Sequence, residues 1–445
     1  MTDLTRSQIF RTAWPLIFAQ AAVPLAGAAD TFVLGLAGTT SDLAGVALGV
    51  AIFNVVAMSV YFLRMGTTAL VSQAAGRDDW PRMQSVIVRA VALALLIGVV
   101  AFAMRGLMIA GGLAILQGSA AVHAVAAVYV DAVAFGAPAK FAVFALTGWL
   151  IGARRTGAML WVLAIFSAVN VGLDLVFVLG FGFGAAGVGY ATAIADWVAA
   201  AIGTVFVLRT VAGHGGWHVR AWRLSELAEP SAIRELFDVN FNLMLRTWTL
   251  LIGFTWFVNA GARQGDAALA GNHVLMQVIM LWAFVLDAFA FVGEAETGRA
   301  YGAGSVRALR RAFVLVMEMS LMIGGAMALA TWALGPVVLT ALVQDEPARN
   351  AALAFLPYCA AVPLIGAPAW VLDGVFIGAT RGKMMRNAAI ASLLVYLAAD
   401  YVLAPPLGNH GVWLAFIVYY VARAGALAAY YPRLEARVAP ANRGG

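Results

Sequence analysis

The chain predicts an all-α integral membrane protein of twelve transmembrane helices, built as two six-helix bundles related by a parallel internal repeat. Three observations carry this expectation: an extreme apolar composition, an alternating distribution of basic residues, and one sequence offset that recurs along the chain. Of the 445 residues, 63% are hydrophobic and 11% charged, whereas a soluble domain has about 45–50% and about 25%. A soluble chain this apolar could not cover its surface. At about 20 residues per span, the length suffices for about twelve helices and short loops.

Apolar runs of adequate length lie near 8–37, 43–72, 83–110, 120–151, 157–182 and 186–209, and again near 233–261, 267–297, 307–335, 350–377, 384–405 and 410–432. The expected organisation is therefore an N-terminal lobe over 1–209, a polar cytoplasmic linker over 210–232 and a C-terminal lobe over 233–445. Arg6 and Arg11 before an apolar stretch, with Ala26-Gly27-Ala28 beyond it, also match the outline of a secretory signal. The repeat places this stretch opposite an internal one near 234–261, so it reads as the first span.

Of the 28 Lys and Arg residues, 21 fall in the two termini and alternate loops. Only Arg105, Arg263 and Arg349 lie in the intervening loops, and Arg64, Lys140, Arg246 and Arg423 fall within spans. This asymmetry follows the positive-inside rule with both termini cytoplasmic. The basicity serves topology, and nucleic acid is not an expected partner. The single cysteine, Cys359, excludes an internal disulfide.

The third observation is the repeat. Leu43-Ala44-Gly45 corresponds to Leu269-Ala270-Gly271, Ala74 and Gly76 to Ala300 and Gly302, and Asp174 to Asp400. Gly148, Ile151, Gly152 and Ala153 correspond to Gly374, Ile377, Gly378 and Ala379. Every pair is 226 residues apart. A duplicated unit with an even number of spans keeps its orientation, and parallel repeats of this kind are a transporter architecture with the substrate path between the halves.

Charge at bilayer depth costs about 2.5–3.5 kcal/mol by insertion scales, so each such residue asks for a reason. Asp30 lies about 28 Å along the first span from Arg11, and Asp174 about 26 Å along the fifth from Gly157, which matches their depths. Asn170 and Asp174, at i and i+4, share a face, and Thr192 on the descending sixth span reaches the same level. Two carboxylates, an amide oxygen and a hydroxyl suit a hard cation, and neighbouring carboxylates also share protons. This is a coupling-ion site for H+ or Na+, or a set of acids that bond neighbouring helices or face a wet vestibule. Pro15 and Pro24 in the first span make either a hinge or a static kink. Asp196, four residues after Thr192, either joins the cluster or faces away.

The second half carries other charges: Asp238, Arg246, Asp287, Glu294, Glu296, Asp373 and Asp400, with Trp256 opposite Asp30. Arg246 is expected to pair with Asp287 or Asp373, and Asp400 to be solvated near an interface. Asn272 and His273 line a cavity or pack between helices. No HExxH, CxxC pair, Walker loop or GxSxG is present. No catalytic residue, cofactor or structural metal is expected, and the protein reads as a non-enzyme.

Several stretches carry a family resemblance. They are Tyr61–Leu70 (YFLRMGTTAL), Gly148–Gly152 (GWLIG), Asn170–Gly180 (NVGLDLVFVLG), Gly187–Thr192 (GVGYAT), Leu245-Arg246-Thr247, Gly293-Glu294-Ala295 with Gly298-Arg299-Ala300, and Asp373–Thr380 (DGVFIGAT). Together they resemble the multidrug and toxic compound extrusion (MATE) family, in its DinF-like branch. The resemblance implies a twelve-helix fold with a V-shaped cavity and antiport of drugs against protons or sodium. It also implies a first-lobe cation site at Asp30, Asn170, Asp174 and Thr192, and a first-helix kink at Pro15. Glu296 and Asp131 depart from its pattern. The expected setting is a bacterial-type inner membrane, with small amphipathic or cationic substrates and a monomeric protein. The alternative within the superfamily is a lipid-linked saccharide flippase. A channel is a further rival, distinguished by flux without a gradient.

Overall fold

The computed structural model describes residues 4–218 and 230–438, with backbone only over 230–239. Residues 219–229 of the expected linker and the side chain of Asp238 lie outside the described residues. Helices fall into two compact units, residues 14–236 and residues 237–445 together with 1–13.

The first unit holds most of α1 (Arg6–Ala37), then α2 (Thr40–Val60), α3 (Phe62–Gly76), α4 (Trp80–Ala103), α5 (Arg105–Ile115), α6 (Ala120–Ala134), α7 (Ala137–Gly152), α8 (Thr156–Asp174) and α9 (Gly184–Ala212). A π-helical turn, Leu175–Gly180, extends α8. The second unit holds most of α10 (Pro230–Ala262), then α11 (Asp266–Gly302), α12 (Val306–Leu342), α13 (Glu346–Gly378), α14 (Gly382–Leu407) and α15 (Asn409–Ala436). Among the described residues, eleven helices are long and apolar enough to cross a membrane, and twelve when the bent pair α6–α7 counts as one span. The twelve-span expectation therefore holds.

Three expected single spans of the first unit are each two helices. The run 43–72 breaks at Tyr61, 83–110 at Met104, and 120–151 at Phe135-Gly136. The last break bends by 56°. Its cause is local: Pro138, in the first turn of α7, has no N–H to donate back to α6, so the helix cannot run through. The matching spans of the second unit, α11, α12 and α13, are unbroken.

In the second unit α13 is the hub. It packs on α11, α12 and α15, and it is the most buried span of that unit. The outer helices instead turn large apolar side chains outward, such as Val337 at 70% and Leu342 at 75% exposed. Such a surface has lipid as its solvent.

The duplication reaches down to single backbone contacts. A methyl group on Gly148 would collide with Arg64 O, and one on Gly374 with Ala290 O. One helical turn on, a methyl on Gly152 would press on Thr68 O and one on Gly378 on Glu294 O. All four pairs keep the 226 offset. In each unit, two helices touch backbone to backbone where only glycine fits. The helix caps repeat as well. Asp79 and Ser305 cap α4 and α12, and Ser119 and Asp345 cap α6 and α13, each by accepting from a backbone N–H. Left-handed turn residues pair in the same way: Asp78 with Gly304, Arg154 with Thr380, Gly182 with Gly408.

Replacing Gly374 by Ala should lower the stability of the detergent-solubilised protein by about 1–3 kcal/mol, the cost of overpacking a fixed contact. Gly425→Ala is the control, because a methyl group there meets nothing within 4 Å. Thermal unfolding monitored by tryptophan fluorescence checks this. Equal midpoints for the two variants would rule out the backbone crossing as a constraint.

Candidate coupling-ion site

The first unit brings the four residues expected from the sequence together. Asp30 on α1 adjoins Asp174 and Asn170 on α8. Asn170 donates its Nδ2 to Thr192 Oγ1 on α9 at 3.2 Å. Asn170, Asp174 and Thr192 are buried and Asp30 is half-buried. The α1–α8 contact is fixed about two turns deeper, where Ser167 Oγ donates to Ala22 O at 2.8 Å.

What distinguishes the cluster is its shortage of donors. Both carboxylate oxygens of Asp174, Oδ1 of Asp30 and Oδ1 of Asn170 are buried and accept no hydrogen bond from the protein. Asn170 spends an N–H on Thr192. Buried acceptors in such number are costly unless something positive or proton-bearing satisfies them. Two carboxylates with neutral oxygens fit a proton or a monovalent hard cation. Among the described residues no three His, Cys, Asp or Glu side chains converge as a metal centre.

The backbone serves this geometry. The π turn begins immediately after Asp174, and such turns interrupt regular winding and frequently occur at functional positions. A cavity of about 450 Å³ opens at Val178, four residues beyond Asp174, bounded by Asp42, Val125, Gly182, Phe183 and Gly184. Pro15 and Pro24 both lie inside α1, which remains one continuous helix.

Two neighbours escaped the sequence reading. Tyr129 on α6 is buried beside Thr192, and no spacing or motif marks it. Lys140 on α7 places its Nζ 3.7 Å from Asp196 Oδ2 on α9. Asp196 therefore does not point away from the cluster; it holds a cation one turn below Thr192.

In the second unit the same positions are occupied differently. Trp256, which stands where α1 has Asp30, donates its Nε1 to Asp400 Oδ2 at 2.9 Å, and Arg263 donates to the same oxygen at 2.7 Å. Asp400 is 1% exposed, which corrects the expectation that it is solvated; an indole and a guanidinium replace water. Arg246 pairs with Asp373 rather than Asp287, and Arg423 donates to the same Asp373 oxygen at 2.6 Å. Asp287 is half-buried and engaged with neighbours, and Glu294 and Glu296 are buried and likewise engaged. Asn272 exchanges hydrogen bonds with Asn409 and accepts from Trp413 Nε1 at 2.8 Å, so it is a packing residue. His273, at the surface, contacts Gln277.

Comparison with known proteins agrees with this architecture. The MatE family profile matches residues 15–176 and again 242–402, one match in each copy of the repeat. The DNA damage-inducible protein F of Escherichia coli K12 is 32% identical over 97% of this chain and 94% of its own length. A probable multidrug resistance protein NorM of Acinetobacter baylyi is 25% identical, with 92% of each chain covered. The crystal structure of a MATE protein in the straight conformation superposes with a TM-score of 0.88 at 19% identity, over 97% of this chain and 96% of that one. Twin profile matches, a full-length relative and a shared twelve-span fold make the chain a member of the MATE family, a DinF-like transporter.

Proposed function

We propose that the protein is a secondary antiporter that exports lipophilic, cationic small molecules across a bacterial inner membrane in exchange for protons or sodium. Asp30, Asn170, Asp174 and Thr192 form its coupling-ion site. The observation that carries this reading is the set of buried oxygens around Asp174 with no protein donor. A site that the protein itself leaves unsatisfied is one that an exchangeable ion completes. The names of the relatives, a multidrug resistance protein among them, support the export of toxic compounds. The distribution of basic residues supports cytoplasmic termini.

The mechanism follows from charge. An ion entering through the outward cavity at Val178 neutralises the Asp30–Asp174 pair and draws α1 toward α8. Pro24 lies less than two turns below Asp30 and leaves α1 short of one backbone hydrogen bond, so the outer part of that helix bends at low cost. Pro15 is the second such point. Antiport requires that ion and substrate prefer different states of the protein, because a ligand shifts an equilibrium only by its differential affinity. A positively charged substrate is the natural competitor of the coupling ion.

The flippase alternative needs free basic groups for a pyrophosphate. All four intramembrane cations are committed instead. Arg246 and Arg423 are held on Asp373, Lys140 faces Asp196, and buried Arg64 stacks over Tyr61. This occupancy favours the antiporter.

Proteoliposomes loaded with ethidium, under separately imposed proton and sodium gradients, test the proposal. Asp30→Asn and Asp174→Asn should keep the folded state yet lose gradient-driven export by about tenfold or more, the scale of an ordinary coupling energy. Undiminished export by Asp30→Asn would remove the coupling role. Asp400→Asn should do the opposite, destabilising the second unit by about 1–3 kcal/mol through its lost hydrogen bonds while folded protein still exports. Thermal unfolding and transport on the same preparation read both effects.

A further inference from the structure

Lys140 takes no part in the ion site as described, yet it sits directly beneath it. Its Nζ lies 5.8 Å from the Phe166 ring centroid on α8 and 6.0 Å from that of Phe53 on α2. Phe166 precedes Asn170 by four residues, and Asp196 follows Thr192 by four. Because α8 and α9 run in opposite directions, Phe166 and Asp196 both lie one turn inward of the oxygen cluster. The ammonium therefore occupies a cage one turn, about 5.4 Å, below the coupling ion's position. Its charge acts on Asp30 from there.

The contact with Asp196 is loose. At 3.7 Å it exceeds hydrogen-bond length, and Asp196 Oδ2 accepts no hydrogen bond although it is buried. The two aromatic faces hold the ammonium by cation–π attraction without fixing its direction. The α6–α7 break brings its backbone close against α9 beside Asp196: at Gly136 a methyl group would meet Ala193 Cα at 2.7 Å and Asp196 Oδ2 at 3.3 Å. The second unit has nothing equivalent, since Gly366 and Ala422 stand at the positions of Lys140 and Asp196.

We propose that Lys140 is a resident counter-cation of this site, a positioning residue that moves between Asp196 and the Asp30–Asp174 pair and so sets how tightly the pocket binds an exchangeable ion. When an ion fills the pocket, repulsion keeps the ammonium on Asp196. When the ion leaves, the flexible four-carbon stem lets the ammonium lean toward Asp30, and the emptied acids remain balanced. The charged groups that share this space are Asp30 from α1, Lys140 from α7, Asp174 from α8 and Asp196 from α9, with the Tyr129 hydroxyl from α6. At an effective dielectric of about 20, a fixed unit charge about one turn away changes the affinity for a second one by about tenfold or more.

This inference rests on the coupling-ion reading, and the two fail separately in one experiment. The probe is 22Na+ binding to the full-length protein in lipid nanodiscs at pH 8, where protons compete least. K140Q should lower the half-saturating sodium concentration by about tenfold, following the removed charge. K140R, which keeps the charge, should stay near the parent. D196N should raise the half-saturating concentration, because the released ammonium then stays on Asp30. A purely structural lysine would shift K140Q and D196N in the same direction, and that outcome, or a K140Q indistinguishable from the parent, overturns the proposal. Tight sodium binding by K140Q that survives addition of D30N would place the ion elsewhere and overturn the coupling-ion reading itself.

Discussion

A carboxylate in hydrocarbon must be answered by something positive, and the whole arrangement depends on where this protein supplies the answer and where it withholds it. Every charged side chain placed at bilayer depth carries a cost of about 2.5–3.5 kcal/mol by insertion scales. Asp373 is answered twice over by Arg246 and Arg423, and Asp400 by an indole and a guanidinium. Asp174 alone among these acids keeps both oxygens without a protein donor. Removing one partner of a buried pair is costly because of the charge left behind. At Asp174 the fold builds that condition in.

The repeat shows which parts of the structure are scaffold and which are chemistry. Caps, left-handed turn residues and glycine-to-carbonyl crossings recur at the shared offset, so the two units solve the same packing problem with the same devices. Of the four site residues only Asp174 recurs, as Asp400. Trp256 replaces Asp30, Tyr396 replaces Asn170, and Val418 replaces Thr192. Tyr396 then packs among Phe416 and Tyr419, which converts the corresponding region of the second unit into an aromatic core. Even the interruptions differ, since the first unit breaks three spans that the second keeps whole. A broken helix frees space and backbone groups, and the break before Pro138 lies beside the Lys140–Asp196 pair.

Most of the fold was legible because it depends on composition and period. Apolar runs of spanning length, basic loops and one repeated offset are properties of the chain that need no coordinates. The four site residues were legible because their depth could be counted along helices of known rise. Tyr129 was not, since its arrival beside Thr192 depends on how α6 packs on α9. Lys140 was visible as a charge, but its partner lies 56 residues away in sequence on another helix, and no spacing rule connects them. The breaks at Tyr61 and Met104 were equally hidden, since neither residue is proline or glycine. Asp400 misled for a related reason: a carboxylate near a span end reads as wet until the indole and guanidinium that cover it are seen.

The glycine crossings carry a consequence for recognising distant relatives. Where one backbone rests on another at Gly148 and Gly374, no side chain is available to vary, so a descendant with new cargo inherits the residue unchanged. The acids around Asp174 are under no such compulsion, as the divergent second copy demonstrates. A search pattern written around the crossings would therefore gather cousins whatever they carry, whereas one written around the acids would miss even the second copy in this chain.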